Sequence, residues 1–333
     1  MGKIKYLVQR IAKMDKKSMF EKIDSIHKKT GKAKIGLFFD IIYCGFRYGA
    51  GYMDYDLYEM YNLNKKQRNT YLTRGRNNAI NKKYNNYEYV HKVESKDEFN
   101  VNFNKYLKRD WIKVDDATKE DVISFLNKHS EFMAKPIDGC CGKKIEKLKT
   151  SDYDSLDKLY EYLKNKNFIL EEIIVQHPDL SRLYPYSINT LRVVSILKDG
   201  QVNIISTCLR IGNGKNFVDN FNSGGMVVPV DEKTGIISKP AIDKNKNLYT
   251  EHPVTKVKIE GFKIPCWEEA MNMVKSAGTI IPQVGYVGWD VGFTPDGPVL
   301  VEANDFPGHD LYQLPEHTPD KIGMWPKLEK YAG

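Results

Sequence analysis

The stretch Tyr286 to Gly308, YVGWDVGFTPDGPVLVEANDFPG, constrains the fold of this chain more than any other. Val287, Trp289, Val291 and Phe293 alternate with Gly288, Asp290 and Gly292. Val299, Val301 and Ala303 alternate with Glu302 and Asn304. Such alternation predicts two strands, each with an apolar face and a polar one. Between them, Pro295 suits the first central position of a type I turn, and Gly297 suits the left-handed residue after it. The expected connection is a three-residue loop, Pro295 to Gly297. Pairing Thr294 with Pro298 then sets Asp290 opposite Glu302, with Cβ atoms about 5 Å apart. Asn304 shares the face of Glu302. Adjacent carboxylates repel unless a cation lies between them, and hard oxygen ligands of this kind suit Mg²⁺. The competing expectation is a surface hairpin with solvated acids, because E-x-N on a strand says little alone.

A chain of 333 residues can bury a sizeable core and exceeds one typical domain. Its five cysteines form no C-x-x-C pair, which argues for a reducing compartment. No apolar run reaches membrane-spanning length, and Gln9, Arg10, Lys13 and Asp15 interrupt any signal-peptide core. The expected location is the cytoplasm. Residues 1–34 hold eleven Lys and Arg against three acids, so the whole formal charge of +8 resides there. Ile4, Leu7, Val8, Ile11 and Met14, then Phe20, Ile23 and Ile26, recur at helical spacing, with an end expected near Thr30-Gly31. A basic amphipathic helix of this kind could lie on an anionic membrane, peripherally. The alternative is a helix packed on its own domain with a solvated basic face. The aromatics are not interleaved with the basic run, so nucleic acid is not an expected partner. Further helices are expected over 33–90. Ile35, Leu37, Phe38, Ile41 and Ile42 form one apolar segment there. Tyr52, Tyr55, Tyr58 and Tyr61 form a core stripe, and Asn64 caps the next helix.

From about residue 95 helices and strands alternate. Thr118 to Asp121 reads as a helix start, and Ser151 to Asp154 as another. Phe132 to Lys135 reads as a short strand leading into Pro136-Ile137-Asp138-Gly139-Cys140-Cys141-Gly142-Lys143-Lys144. A lysine ending a strand, then glycines, then basic residues, is an arrangement suited to phosphate, although no Walker A loop is present. An ordinary surface turn is the alternative. Phe168 to Gln176 is an apolar strand carrying Glu171 and Glu172, and buried acids need partners. Either acid could accept from an adenine amino group, with backbone near Ile174 reading the ring edge. The alternative is a strand at a domain edge. His177 reads first as a satisfied loop histidine. A second hairpin is expected around Lys198-Asp199-Gly200. It places Arg192 and Arg210 on one face, where they would hold a carboxylate or phosphate or form a structural salt bridge.

Taken in order, these pieces resemble the ATP-grasp superfamily. They are similar in particular to its sugar-transfer-associated group, linked to cell-surface polysaccharide synthesis. The resemblance covers about 95–315, and the N-terminal region resembles that group's leader. It implies an α+β fold in which two subdomains enclose ATP, after an N-terminal helical region over 1–94. The ATP-grasp domain would span 95–333, with a lid and adenine-hinge part over 95–178 and a metal and substrate part over 179–333. Lys135 resembles the phosphate-contacting lysine, Lys96 the earlier lysine, and Asp138 to Lys144 the lid loop. Within that loop Asp138, Gly139, Gly142 and Lys143 would touch nucleotide. Glu171, Glu172 and Ile174 match the adenine hinge, and His177 lies near the ribose position. Asp290, Glu302 and Asn304 match the Mg²⁺ ligands. Many ATP-grasp ligases carry an arginine two residues before the first metal-binding acid. Here that residue is Gly288, so Arg192 or Arg210 would supply the charge.

The activity implied is that of an ATP-dependent, ADP-forming ligase using Mg²⁺. It would join a carboxylate to an amine or other nucleophile through an acyl phosphate, with a small-molecule or sugar-linked substrate. Lys135, Arg192 and Arg210 would stabilise the transferring charge. A kinase acting on a hydroxyl, with Asp305 or Asp310 as base, is the nearest rival. A nucleotide-binding module without turnover is the third reading.

Overall fold

Apolar side chains recur at three- and four-residue spacing in Lys16–Thr30 and Lys34–Tyr48, and helices form there and at Tyr52–Leu57, Lys65–Arg68 and Arg74–Tyr84. The computed structural model describes residues 15–137, 145–214, 221 and 224–332. Asp15 caps the first helix by accepting from Ser18 N at 3.1 Å, and Gly31 ends it at φ 73°, where the sequence sets the stop. Asn64 caps as expected, but its helix closes after one turn. The tyrosine stripe is core as expected, with Tyr55, Tyr58 and Tyr61 buried. It does not lie on one helix, because Glu59 turns left-handed at φ 49° and breaks the run.

The chain divides into two compact units, residues 1–83 with 308–333, and residues 84–307. The boundary expected at 94/95 lies inside the second. In the first unit Met19, Ile23, Leu37, Ile41, Tyr55 and Tyr58 share one core. The C-terminal segment joins it through polar contacts: Gln313 Oε1 accepts from Leu72 N at 3.0 Å, and His309 Nε2 lies 2.9 Å from Asp54 Oδ1.

The second unit contains two antiparallel sheets. The first comprises β1 (Trp111–Lys113), β2 (Glu131–Pro136), β3 (Glu146–Lys149) and β4 (Phe168–Glu172), in the order β1-β4-β2-β3. Phe132, Ala134 and Leu170 pack one face onto helices Lys119–Lys128 and Leu156–Leu163. By the period of two, Met133, Lys135, Ile169 and Glu171 share the other face. Thr118 caps the first of these helices as expected, accepting from Asp121 N at 3.2 Å. The second is capped by Ser155 rather than within 151–154, because residues 150–152 form a 3₁₀ turn.

The second sheet has seven strands: β5 (Leu191–Lys198), β6 (Gln201–Ile211), β7 (Met226–Pro229), β8 (Ala241–Asp243), β9 (Leu248–Tyr249), β10 (Tyr286–Thr294) and β11 (Gly297–Asn304). Their order is β11-β10-β5-β6-β7-β8-β9. Trp289 anchors its apolar face, edge-on to Phe103 at 5.4 Å and donating from Nε1 to Ser195 Oγ at 2.9 Å. The architecture is α+β with an N-terminal helical region, as expected. Among the described residues no helix is long and apolar enough to cross a membrane.

Both long hairpins depart from the expected loops in the same way. The turn between β10 and β11 has two residues, since Thr294 pairs with Gly297, and Gly297 has φ 105°. A bulge between Asp290 and Val291 then restores the expected pairing of Asp290 with Glu302. In the β5–β6 hairpin, Asp199 (φ 51°) and Gly200 (φ 75°) form a two-residue turn with both centres left-handed. A bulge between Val194 and Ser195 again restores side-chain parity, with Arg192 opposite Cys208 where a Lys198–Gly200 loop would set it opposite Ser206.

Candidate active site

Strand register builds the site. Glu302 pairs with Asp290, Asp290 with Arg192, and Arg192 with Cys208. These residues form one row across four strands, on the face opposite Trp289. Arg210 lies two residues beyond Cys208 and Asn304 two beyond Glu302, so both share that face. The structure therefore brings Asp290, Glu302, Asn304, Arg192 and Arg210 together.

Asp290 is 2% exposed, which removes the solvated-hairpin expectation for it. Arg192 holds it through Nε on Oδ1 and Nη2 on Oδ2 at 2.9 Å, and Arg210 Nη1 donates to Oδ2 at 2.9 Å. Burial alone would raise this carboxyl. The two guanidinium charges outweigh burial and hold Asp290 well below the usual carboxylate range. Glu302 behaves oppositely. Its side chain reaches solvent, yet desolvation by the surrounding protein and the charge of Asp290 push its carboxyl up to about 7. Next to it, the Nδ2 of Asn304 is buried and has no hydrogen-bond partner among the described residues. A carboxyl reluctant to ionise, beside an orphaned amide and a buried carboxylate, fits a site completed by a cation and its phosphate ligand. This donor set suits Mg²⁺.

Gly288 belongs to the same face. A Cβ placed there would stand 3.2 Å from Arg192 Nη1 and 3.4 Å from its Cδ. The missing side chain at 288 thus leaves the room that Arg192 occupies from the neighbouring strand.

The four-stranded sheet contributes a second group. Lys135 Nζ donates to Glu171 Oε2 at 2.7 Å, Arg109 Nε to the same oxygen at 2.8 Å, and Asn100 Nδ2 to Oε1 at 3.1 Å. Burial by itself would raise Glu171. The charges of Arg109 and Lys135 override it and keep the carboxyl far below its ordinary range. In this structure Glu171 is the counter-ion of Lys135 and Arg109. Glu172 points elsewhere and accepts from Asp110 N at 3.0 Å. Lys96 clamps the exit of β2, donating to Pro136 O at 2.8 Å and Ile137 O at 3.2 Å. Among the described residues, no hydrogen bond engages the backbone of Ile173, Ile174 or Val175, just past β4. His177 caps helix Pro178–Leu183, with Nδ1 accepting from Asp179 N at 3.2 Å. Asp138, Gly139, Gly142 and Lys143 lie outside the described residues.

Arg109 escaped the sequence reading. Besides Glu171 it donates from Nη1 to Leu300 O at 2.7 Å, beside the bulge that turns Glu302 toward Asp290. Its neighbours Lys108 and Asp110 make it look like part of a solvated charge run. Asp110, His129 and Glu172 also cluster. Asp110 Oδ2 is already shared by His129 Nε2 and Lys128 Nζ, so the group is an ion-pair knot at a strand end.

A model of the family described as sugar-transfer associated ATP-grasp matches residues 75–319. No curated protein matches the chain. Among solved structures it is similar to the ATP-grasp ligase PsnB complexed with minimal precursor: 15% identity, 68% of this chain, 56% of that one, TM-score 0.41. It is similar to D-alanyl-alanine synthetase A from Vibrio cholerae O1 biovar eltor: 12% identity, 72% and 64% coverage, TM-score 0.45. It is also similar to the purK N5-carboxyaminoimidazole ribonucleotide synthetase in its ADP complex: 13% identity, 65% and 46% coverage, TM-score 0.41. The chain spans about half the length of PsnB and of the purK enzyme.

Proposed function

The chain belongs to the sugar-transfer associated ATP-grasp family, and from that premise we propose that it is an ATP-dependent, ADP-forming ligase acting in cell-surface polysaccharide biosynthesis. The observation that carries the reading is the row Glu302–Asp290–Arg192, with Arg210 and the orphaned Asn304 amide on the same face.

Asp290, Glu302 and Asn304 would hold Mg²⁺, whose charge would offset that of the phosphate oxygens. In the reaction, an oxygen of the substrate carboxylate attacks the γ-phosphorus. The bond from that phosphorus to the β–γ bridging oxygen breaks, and ADP leaves. An amine nitrogen then attacks the acyl carbon, the carbon–oxygen bond to phosphate breaks, and the amine loses a proton. The first step joins two anions, so fixed positive charge contributes more than covalent participation by the protein. Arg192 and Arg210 sit one strand and two strands from Asp290 and hold it ionised. Arg192 also delivers positive charge above Gly288. Lys135, steered by Glu171, directs its ammonium from the other sheet. Its side chain is 14% exposed, enough for one further contact. The acceptor is a small or sugar-linked molecule bearing a carboxylate or an amine.

The rival, phosphoryl transfer to a hydroxyl, has one observation in its favour. Burial and the charge of Glu94 push Asp305 up to about 6, which suits a general base. Incubating the protein with ATP, Mg²⁺ and panels of carboxylates and amines separates the readings. ADP together with a product lighter than its two substrates by one water supports ligation. A phosphorylated hydroxyl compound shows a kinase, and AMP rules out the proposed chemistry. Nucleotide binding with no turnover across the panels shows a binding module.

A further inference from the structure

Helix Lys34–Tyr48 is apolar on two opposite sides. Its inner side, Leu37, Ile41, Cys44 and Tyr48, is at most 4% exposed. Its outer side carries Ile35, Phe39, Tyr43 and Phe46, from 40% to 71% exposed. Those four stand at i, i+4, i+8 and i+11, so they form one stripe along the helix. On the preceding helix Phe20 stacks against Phe38, with ring centroids 6.1 Å apart, and is itself 52% exposed. An ordinary surface helix has one apolar face, and this helix has a second. A contiguous apolar stripe of this kind marks a surface that something covers.

We propose that this stripe, with Phe20, is the face by which the protein docks on an anionic lipid membrane. The charge around it selects that occupant. Lys16 and Lys17 are exposed within a turn of Phe20, Lys32 stands at the start of the stripe beside Lys34, which is paired with Asp24 at 2.7 Å, and Arg47 follows Phe46. Residues 15–34 carry seven lysines against Asp15, Glu21 and Asp24, a net formal charge of +4. A second copy covering the stripe would bring two such regions together, and they repel. An anionic bilayer matches both features. Phe, Ile and Tyr side chains enter the boundary between headgroups and acyl chains, and lysines meet the headgroups. Since no described helix is long and apolar enough to cross a membrane, the mode is interfacial. The inference concerns the helical unit and stands independently of the ligase reading.

The test is sedimentation of the full chain with vesicles of phosphatidylcholine alone and of phosphatidylcholine with phosphatidylglycerol, at low and high salt. The expected result is binding to the anionic vesicles only, weakened by salt. In F39S/F46S the partition should fall at least about tenfold. Thermal melting should be unchanged, because both side chains point outward. In F39W the emission should shift to the blue on adding anionic vesicles. Equal pelleting with neutral vesicles, no pelleting at low salt, or wild-type binding by F39S/F46S overturns the proposal. So does concentration-dependent self-association that F39S/F46S abolishes without any vesicle binding, which would assign the stripe to a second copy.

Discussion

Glu302 and Glu171 are both acids on strands, yet their surroundings set opposite roles. Glu302 sits beside an ionised Asp290 and resists ionisation. Replacing it with Gln keeps the shape, can keep a hydrogen bond to Asp290, and removes the like-charge contact. We expect Glu302→Gln to lower Mg²⁺-dependent ATP affinity and turnover by at least about a hundredfold. The melting temperature should hold or rise. Equal nucleotide titrations for variant and wild type would remove Glu302 from the metal set. Glu171 is buried between Arg109 and Lys135, and its folded value lies below the ordinary 4.5. Such a group contributes stability that is fully present above the unfolded value and is lost as pH falls through and below it. Denaturant unfolding should therefore lose stability below about pH 4.5, and Glu171→Gln should flatten that slope. An unchanged slope would mean that other carboxylates carry the acid sensitivity. Gly288 gives a third residue test. A methyl group there crowds Arg192 Nη1 at 3.2 Å, so Gly288→Ala should reduce turnover more than it reduces stability. Kinetics set beside a melt would show this, and a parallel loss in both would count against it.

At the scale of elements, the two hairpins show what the sequence made legible. Alternation fixed which residues share a face, and the facing of Asp290 with Glu302 and of Arg192 with Arg210 followed. The turns did not follow, because Pro-Asp-Gly and Lys-Asp-Gly suit a three-residue loop as well as a two-residue turn with a bulge. The two-residue turn and the bulge each shift the register by one, back to the expected pairing in β10–β11 and to two residues from it in β5–β6, so side-chain parity at the site is the same by either route. Helix ends were legible where a cap stood alone, as at Thr118. They were displaced where several capping residues adjoin, as in the stretch ending at Ser155. Glu171 was legible as an acid needing a partner, but its partners come from other elements, so their identity was not. The β5–β6 turn offers a clean element-scale prediction. Nothing lies within 4 Å of a Cβ added at Gly200, whose φ is 75°. Gly200→Ala should therefore cost about 1 kcal/mol through backbone strain alone. Thermal melting should show the loss while Mg²⁺-dependent ATP affinity stays at the wild-type value, because the bulge and not the turn sets the row at Arg192. A fall in affinity would mean that the turn also holds the register.

At the largest scale, the uneven charge was plain from composition, whereas the tie between the two sheets of residues 84–307 was not. Arg109 makes that tie. Its Nε meets Glu171 on β4 and its Nη1 meets Leu300 O on β11, so one buried guanidinium joins the group around Lys135 to the strand that carries Glu302. Nothing in Lys108-Arg109-Asp110 distinguishes it from a solvated charge run, because burial of a lone arginine is decided by contacts far away in the chain. Arg109→Met would leave Leu300 O without its donor and Glu171 with Lys135 as its remaining cation. Breaking a buried charge pair on one side typically costs about 3–5 kcal/mol. The expected outcome is a loss of that order in denaturant unfolding. If the arginine acts through Glu171, Arg109→Met/Glu171→Gln should cost less than the two single losses added, with a coupling of roughly 1–3 kcal/mol. Hydrogen exchange gives the readout that a merely local role would not move. In Arg109→Met the amides of β1 to β4 should exchange faster than those of β5 and β10, whereas in the wild type the two sheets should open together. Additive losses, with both sheets still opening together, would show that Arg109 fills space and does not tie the sheets.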